Sequence, residues 1–121
     1  MSYRNLEIYI ESLDLFLRTH RMSLKLPKYE MYELGSQIRR SADSVNSNIV
    51  EGYGRKRYKA DYIKFLTYSH SSNDETLNHL IKLQSLYPDF ENEIKELITA
   101  YNMLGGKINN FIKYVEHNWR T

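Results

Sequence analysis

Four cations fall within five residues at Arg55, Lys56, Arg57 and Lys59, and Tyr53 and Tyr58 are set among them. Cations neutralise phosphates and tyrosine rings offer stacking faces, so this run suits RNA or another single-stranded nucleic acid. Arg39 and Arg40 make a weaker second cationic group. A solvated connection between helices has the same composition, and that plainer reading stands beside the first. The charge is uneven: residues 1–66 carry twelve Lys and Arg against eight Asp and Glu, residues 67–121 five against seven.

The histidines, His20, His70, His79 and His117, form no pattern that points to catalysis. A di-iron bundle needs Glu-x-x-His from each of two helices. Glu75 and His79 are four apart with no second copy, and His70–Asp74 has the same spacing, which is that of ordinary helix-surface pairs. The chain has no cysteine, which excludes thiolate metal sites, disulfides and a cysteine nucleophile. No nucleophile elbow is present, and Gly52-Tyr53-Gly54 follows a helical pattern and not a strand, so it is no phosphate-cradling loop. The expectation is a non-enzyme with no catalytic residue, no cofactor and no metal.

A third constellation is polar and uncharged for the most part. Ser44, Ser47, Asn48, Glu51 and Gly52 lie beside a thin apolar row, Ile38, Ala42, Val45 and Ile49. Residues 69–76 hold no apolar side chain and include Ser72 and Glu75. Serine and asparagine compete with the helix for backbone hydrogen bonds, so such stretches need a reason. A solvated face is one. Close helix packing with a structural polar network, the two midsections facing each other, is the other.

Four periodic stretches must position these residues. With two prolines and five glycines in 121 residues, interruptions are few. Apolar residues recur at three- and four-residue steps over about 5–23, 29–52, 58–86 and 89–118, which predicts four helices. In the first, Leu6, Tyr9, Ile10, Leu13, Phe16 and Leu17 define the apolar face. In the third, Tyr62, Phe65, Leu66, Leu77, Leu80, Ile81 and Leu83 are the expected buried set. Short connections make neighbours antiparallel, giving an all-α, up-down-up-down four-helix bundle in one domain spanning 1–121. Gly52 reads as the stop of the second helix, whereas Gly105-Gly106 inside the fourth reads as a close approach or a bend. No apolar run reaches membrane-spanning length and the first residues lack a secretory pattern, so the expected compartment is the cytoplasm.

The run Gln37-Ile38-Arg39-Arg40, then Ser44, Ser47-Asn48-Ile49 and Glu51-Gly52-Tyr53-Gly54-Arg55 resembles the signature of the four helix bundle protein family. That family was first noticed in bacterial 23S rRNA intervening sequences and was misnamed a ribosomal protein. Phe65-Leu66 with Ser72 and Glu75, and the close of the fourth helix from Met103-Leu104, are similar to its remaining pattern. Asn46 stands where proline is common and Val50 where alanine is common. The resemblance implies a homopentameric ring of four-helix protomers with no established biochemical activity. A distant relative, the accessory protein of diversity-generating retroelements, is also a pentamer; it partners a reverse transcriptase and binds nucleic acid through a strongly basic surface. At a net charge of +2 this chain suits that role less well.

Eleven tyrosines exceed what one small core needs, and tyrosine is favoured at interfaces. Tyr3, Tyr9, Tyr29, Tyr32, Tyr58, Tyr62 and Tyr68 are the surplus. The functional expectation is therefore an oligomeric interaction or scaffold protein whose first partner is itself. The alternative is an accessory protein that binds RNA or single-stranded nucleic acid through the basic connection, with RNA or a nucleic-acid-handling protein as its partner. No membrane partner is expected.

Overall fold

Short turns set where the helices begin. The computed structural model describes residues 2–120, and every regular element among them is helical. Four α-helices follow in order: α1, Glu7–Ser23; α2, Leu34–Gly54; α3, Lys59–Leu86; and α4, Glu91–Asn118. Turns of 3-10 helix at Tyr3–Asn5, Lys28–Tyr32 and Pro88–Phe90 precede α1, α2 and α4. They account for starts at Glu7 and Glu91 where Asn5 and Asp89 were expected. Tyr58 is the extended residue before α3 and not its first helical one.

The largest shift is in α2, which starts at Leu34 and not at Tyr29. Glu30 is the cause. Its side chain is buried, and Oε1 accepts the backbone N–H of Leu34 at 3.0 Å. A carboxylate there satisfies a first-turn donor and complements the helix dipole. The Tyr87 hydroxyl donates to Glu30 Oε2, and the Tyr29 and Tyr87 hydroxyls are hydrogen-bonded to each other. Burial first, and then the bond to Glu30, pushes the Tyr87 hydroxyl pKa up. At its other end α2 does not stop at Gly52 but runs to Gly54. Gly52 is buried, and a Cβ there would lie 3.2 Å from Phe65 Cβ. Its smallness lets α3 approach.

Cross-helix bonds fix the directions. Ser12–Asn46 and Ser23–Arg39 make α1 and α2 antiparallel, Ser41–Thr76 and Ser44–Ser72 do so for α2 and α3, and Lys25–Glu93 and Thr19–Tyr101 for α1 and α4. α1 packs on α2 and α4, and α3 packs on the same two helices, with α2–α3 the most extensive contact. Asn46, which departs from the pattern, donates from Nδ2 to Ser12 Oγ at 3.1 Å within an uninterrupted α2.

The core is built from Ile8, Leu15 and Met22 of α1, Ile38, Val45 and Ile49 of α2, Tyr62, Leu66, Leu80 and Leu83 of α3, and Ile94 to Val115 of α4. Each such side chain contributes roughly 1.5–3 kcal/mol. Ile81, expected inside, is about half exposed, at 52%. The larger correction concerns α1. Its buried residues are Ile8, Ser12, Leu15, Thr19, Met22 and Ser23, whereas Ile10, Leu13 and Leu17 face outward. Hydroxyl side chains occupy core positions because each finds a partner. Ser12 Oγ donates to Tyr9 O at 3.0 Å, and Thr19 Oγ1 shares a 2.7 Å bond with the Tyr101 hydroxyl, which donates to Leu15 O at 3.2 Å. Burial pushes the Tyr101 hydroxyl pKa up.

α4 is continuous through Gly105-Gly106, and the two glycines differ. A Cβ on Gly105 would lie 2.9 Å from Asn73 Nδ2, the group that donates to Tyr101 O at 2.9 Å. Gly106 has nothing within 4 Å. Opposite effects are expected in thermal melts. Gly106→Ala raises stability by about 0.5–1 kcal/mol through helix propensity. Gly105→Ala displaces the Asn73 amide and lowers it by about 1 kcal/mol net.

Candidate functional site

Three features were singled out in the sequence: the polar stripe, the basic connection and the surplus tyrosines. The stripe divides. Ser72 Oγ donates to Ser44 Oγ at 3.0 Å, and Asn48 Nδ2 donates to Ser44 O and Oγ, both at 2.9 Å. Ser47 is exposed and bonds Asp43 on its own helix. Glu51 is exposed and pairs with Arg55, and Glu75 is exposed and pairs with His79. The two glutamates therefore do not join the seam. Four other side chains, Ser41, Ser69, Asn73 and Thr76, complete it. Thr76 Oγ1 donates to Ser41 Oγ at 2.8 Å, Ser69 Oγ donates to Val45 O at 2.6 Å, and Asn73 bridges onward to α4. These small hydroxyls let α2 and α3 pack closely. Their arrangement holds two helices together and offers no nucleophile–base pair.

The histidines stay apart. His79 is buried, His70 is half-buried against Asp74, and His20 packs its ring near Phe16. Among the described residues no group of three His, Asp or Glu side chains is placed to hold a metal ion. No helix among them is long and apolar enough to cross a membrane.

The basic run closes one end of the bundle. Arg55 lies 4.9 Å over the Phe65 ring and pairs with Glu51 at 3.4 Å and Asp61 at 4.0 Å, so its charge is largely answered within the chain. Lys56 is half-buried with Nζ 3.7 Å from the Tyr53 ring centre, Arg57 stacks over exposed Tyr58, and Lys59 opens α3. The connection is thus a four-residue turn over 55–58, closed by the bonds Arg55 N–Gly52 O and Tyr58 N–Arg55 O. Arg39 and Arg40 do not belong to this end. Fifteen or more residues of helix separate them from it, about 24 Å at 1.5 Å per residue. Arg39 is also committed inward, donating to Ser23 Oγ at 3.0 Å and Met31 O at 2.6 Å, and Arg40 reaches Ser36 Oγ.

What the sequence reading missed is that the α4 C-terminus arrives at the same end. Trp119 Nε1–H donates to Lys56 O at 2.6 Å, and the indole meets Tyr62 edge-on at 5.3 Å. Arg120 follows it. Tyr3 and Arg4 reach the cluster through Tyr53, with ring centres 6.2 Å apart. Residues 2–6, 51–66 and 111–120 together hold eight Lys and Arg against three Asp and Glu. The opposite end, residues 19–36 and 82–97, holds five against six. The antiparallel topology, combined with the adjacent Trp119 and Arg120, is the signal that would have located them.

The tyrosines also divide. Tyr62 is fully buried core, and Tyr3 and Tyr9 pack on each other, whereas Tyr29, Tyr32, Tyr58 and Tyr68 are exposed. Two of these adjoin a continuous feature on α1. Ile10, Leu13, Leu17 and Leu24 are 37–56% exposed. They lie roughly 180° around the helix from Ile8, Leu15 and Met22, at heptad-like steps. Beyond Leu24 the connection to α2 adds exposed Tyr29, Met31 and Tyr32. The outward face of α2 is polar, with Arg40, Asp43 and Ser47, whereas α3 and α4 expose single apolar residues, Tyr68, Ile81 and Leu86 on the one and Met103 and Tyr114 on the other, that do not recur at three- and four-residue steps. On one flank of the stripe Lys107 clasps Glu7 at 2.6 Å and Glu11 at 2.8 Å. The bond from Lys107 holds the Glu7 carboxyl below the usual carboxylate range, and the carboxylates raise the Lys107 ammonium pKa in turn.

Comparison with known proteins agrees with this fold. A solved structure from Bacteroides thetaiotaomicron, of a protein with unknown function from the S23 ribosomal protein family, superposes with a TM-score of 0.79 at 20% identity. The alignment covers 88% of this chain and 98% of that one. No curated protein matches. The model of the 23S rRNA-intervening sequence protein family matches residues 4–110, nearly the whole bundle with its α2 motif, and the chain belongs to that family.

Proposed function

We propose that this chain is a cytoplasmic, non-enzymatic interaction protein that works as a closed homo-oligomer, five copies in a ring, with the outer stripe of α1 covered by the next copy. One observation carries the reading. α1 is apolar on two opposite faces, and only one of them is used within the chain. A stripe at heptad-like spacing is suited to packing against another helix, and head-to-tail contacts that close generate rings. The number five rests on the family resemblance. Light scattering coupled to size exclusion is expected to give about five times the 14.5 kDa chain mass. A monomer at micromolar concentration overturns the reading.

A second reading, a single-stranded nucleic-acid-binding accessory role, is supported by the gathering of cations and aromatic rings at one end of the bundle. In a ring that end is repeated in every copy, so a weak site gains avidity.

A further inference from the structure

Between the α2–α3 turn and the end of α4 lies an open cleft of about 660 Å³ lined by Tyr53, Lys56, Arg57, Asn118, Trp119 and Arg120. We infer that this cleft is a binding site for single-stranded nucleic acid, in which Lys56, Arg57 and Arg120 hold consecutive phosphates and a base stacks in the Trp119 wall. The inference rests on the nucleic-acid reading and names its site.

Observations beyond the basic run itself single out this cleft. Two segments far apart in sequence supply its cations: Lys56 and Arg57 from the turn, Arg120 from beyond α4. Arg55 and Lys59, the other two cations of the run, do not line it. The Trp119 indole is fixed on both sides, by its N–H bond to Lys56 O and by the edge of Tyr62, so the ring is pre-positioned at little further entropic cost. The bond also couples the wall to the residue whose ammonium group sits over Tyr53. Cations that track a backbone beside rigid aromatic faces are the recurring apparatus of single-strand recognition. A duplex keeps its bases stacked and has nothing to offer the indole, and an acidic peptide would use the cations alone.

Trp119 is the single tryptophan in the chain, so its emission reports this cleft and no other place. The experiment titrates the full-length protein with a fluorescently labelled ten-nucleotide oligouridine RNA, reading oligomer anisotropy and Trp119 emission together. Wild type is expected to bind at low salt with Trp119 quenching that follows the anisotropy. The log–log salt slope is expected near −2, as three neutralised phosphates on a single strand require. Arg57→Gln with Arg120→Gln weakens binding roughly tenfold or more and flattens the slope, while Arg57→Lys with Arg120→Lys retains it. Lys82→Gln, on the outward face of α3, leaves binding unchanged. Circular dichroism of the glutamine variant checks that the bundle is intact. Binding without quenching, or equal binding by wild type and the glutamine variant, overturns the cleft and leaves nucleic-acid binding elsewhere on the surface. No binding by wild type at low salt overturns both. Equal affinity for polyglutamate with the same salt slope and no quenching assigns the end to acidic partners and also overturns the inference.

Discussion

Leu13→Glu combined with Leu17→Glu is expected to convert the proposed ring into a folded 14.5 kDa monomer. Both side chains stand on the outward face of α1, about two-fifths exposed, and neither contributes to the core cluster. Within one chain neither is a core position, and the cost there is about 1 kcal/mol per residue. Between copies the effect is much larger. Each glutamate removes an apolar contact and places a carboxylate where a neighbour's surface would desolvate it, costing several kcal/mol per contact unless it finds a cation. In a ring the same two residues recur at every interface, so the losses multiply. The expected record is a mass falling to that of one chain while helical circular dichroism is retained. Loss of helicity together with mass would mean that the stripe is needed within the protomer.

Gly35→Ala has the largest effect expected on the protomer itself. A Cβ at this position would stand 2.3 Å from the carbonyl oxygen of Glu30 and 3.0 Å from its carbonyl carbon. These are backbone atoms of a tight turn and have no rotamer into which to retreat. The turn is anchored on both sides. Glu30 accepts the Leu34 N–H that begins α2, and its other oxygen accepts from Tyr87 at the α3–α4 turn. Moving Glu30 away from residue 35 breaks both bonds and uncovers a buried carboxylate. Destabilisation of about 3 kcal/mol is expected, from overpacking together with the lost partners. In a chain of this length that lowers the melting midpoint by roughly 10 °C. Gly54→Ala, with nothing within 4 Å, is the control and leaves the midpoint nearly unchanged. A melt for Gly35→Ala that matches wild type would show that the Glu30 turn is not a determinant of α2.

The four helices were legible because apolar period and the rarity of proline and glycine leave no competing strand pattern. The place of each face was not. Counting apolar residues in α1 selects Ile10, Leu13 and Leu17, which face outward, because Ser12 and Thr19 take core positions through bonds to Tyr9 O and Tyr101. The alternative seam, Ile8, Leu15 and Met22 at steps of seven, was present in the sequence but is apolar at only three positions. Similarly, the start of α2 depends on Glu30 meeting Tyr87, fifty-seven residues away, which no local signal encodes. In the polar stripe, Ser44 and Ser72 were recognisable by spacing. Glu51 and Glu75 share that spacing but lie far enough round their helices to reach water, where ion pairs within their own helices suffice. The basic end was half visible. Arg55 to Lys59 are contiguous in sequence, whereas Trp119 and Arg120 join them only through the antiparallel return of α4.

The proposed covering of α1's outer stripe can be tested directly, because the chain has no cysteine of its own. Leu17→Cys places one thiol on the stripe, and Lys82→Cys places one on the outward face of α3. The rate of alkylation of each is measured at the concentration used for light scattering. The thiol at 17 is expected to react about tenfold or more slowly than the thiol at 82, since the centre of an interface excludes solvent. The two rates are expected to converge when Leu13→Glu is added. Equal rates for the two thiols in the otherwise wild-type protein would contradict a covered stripe.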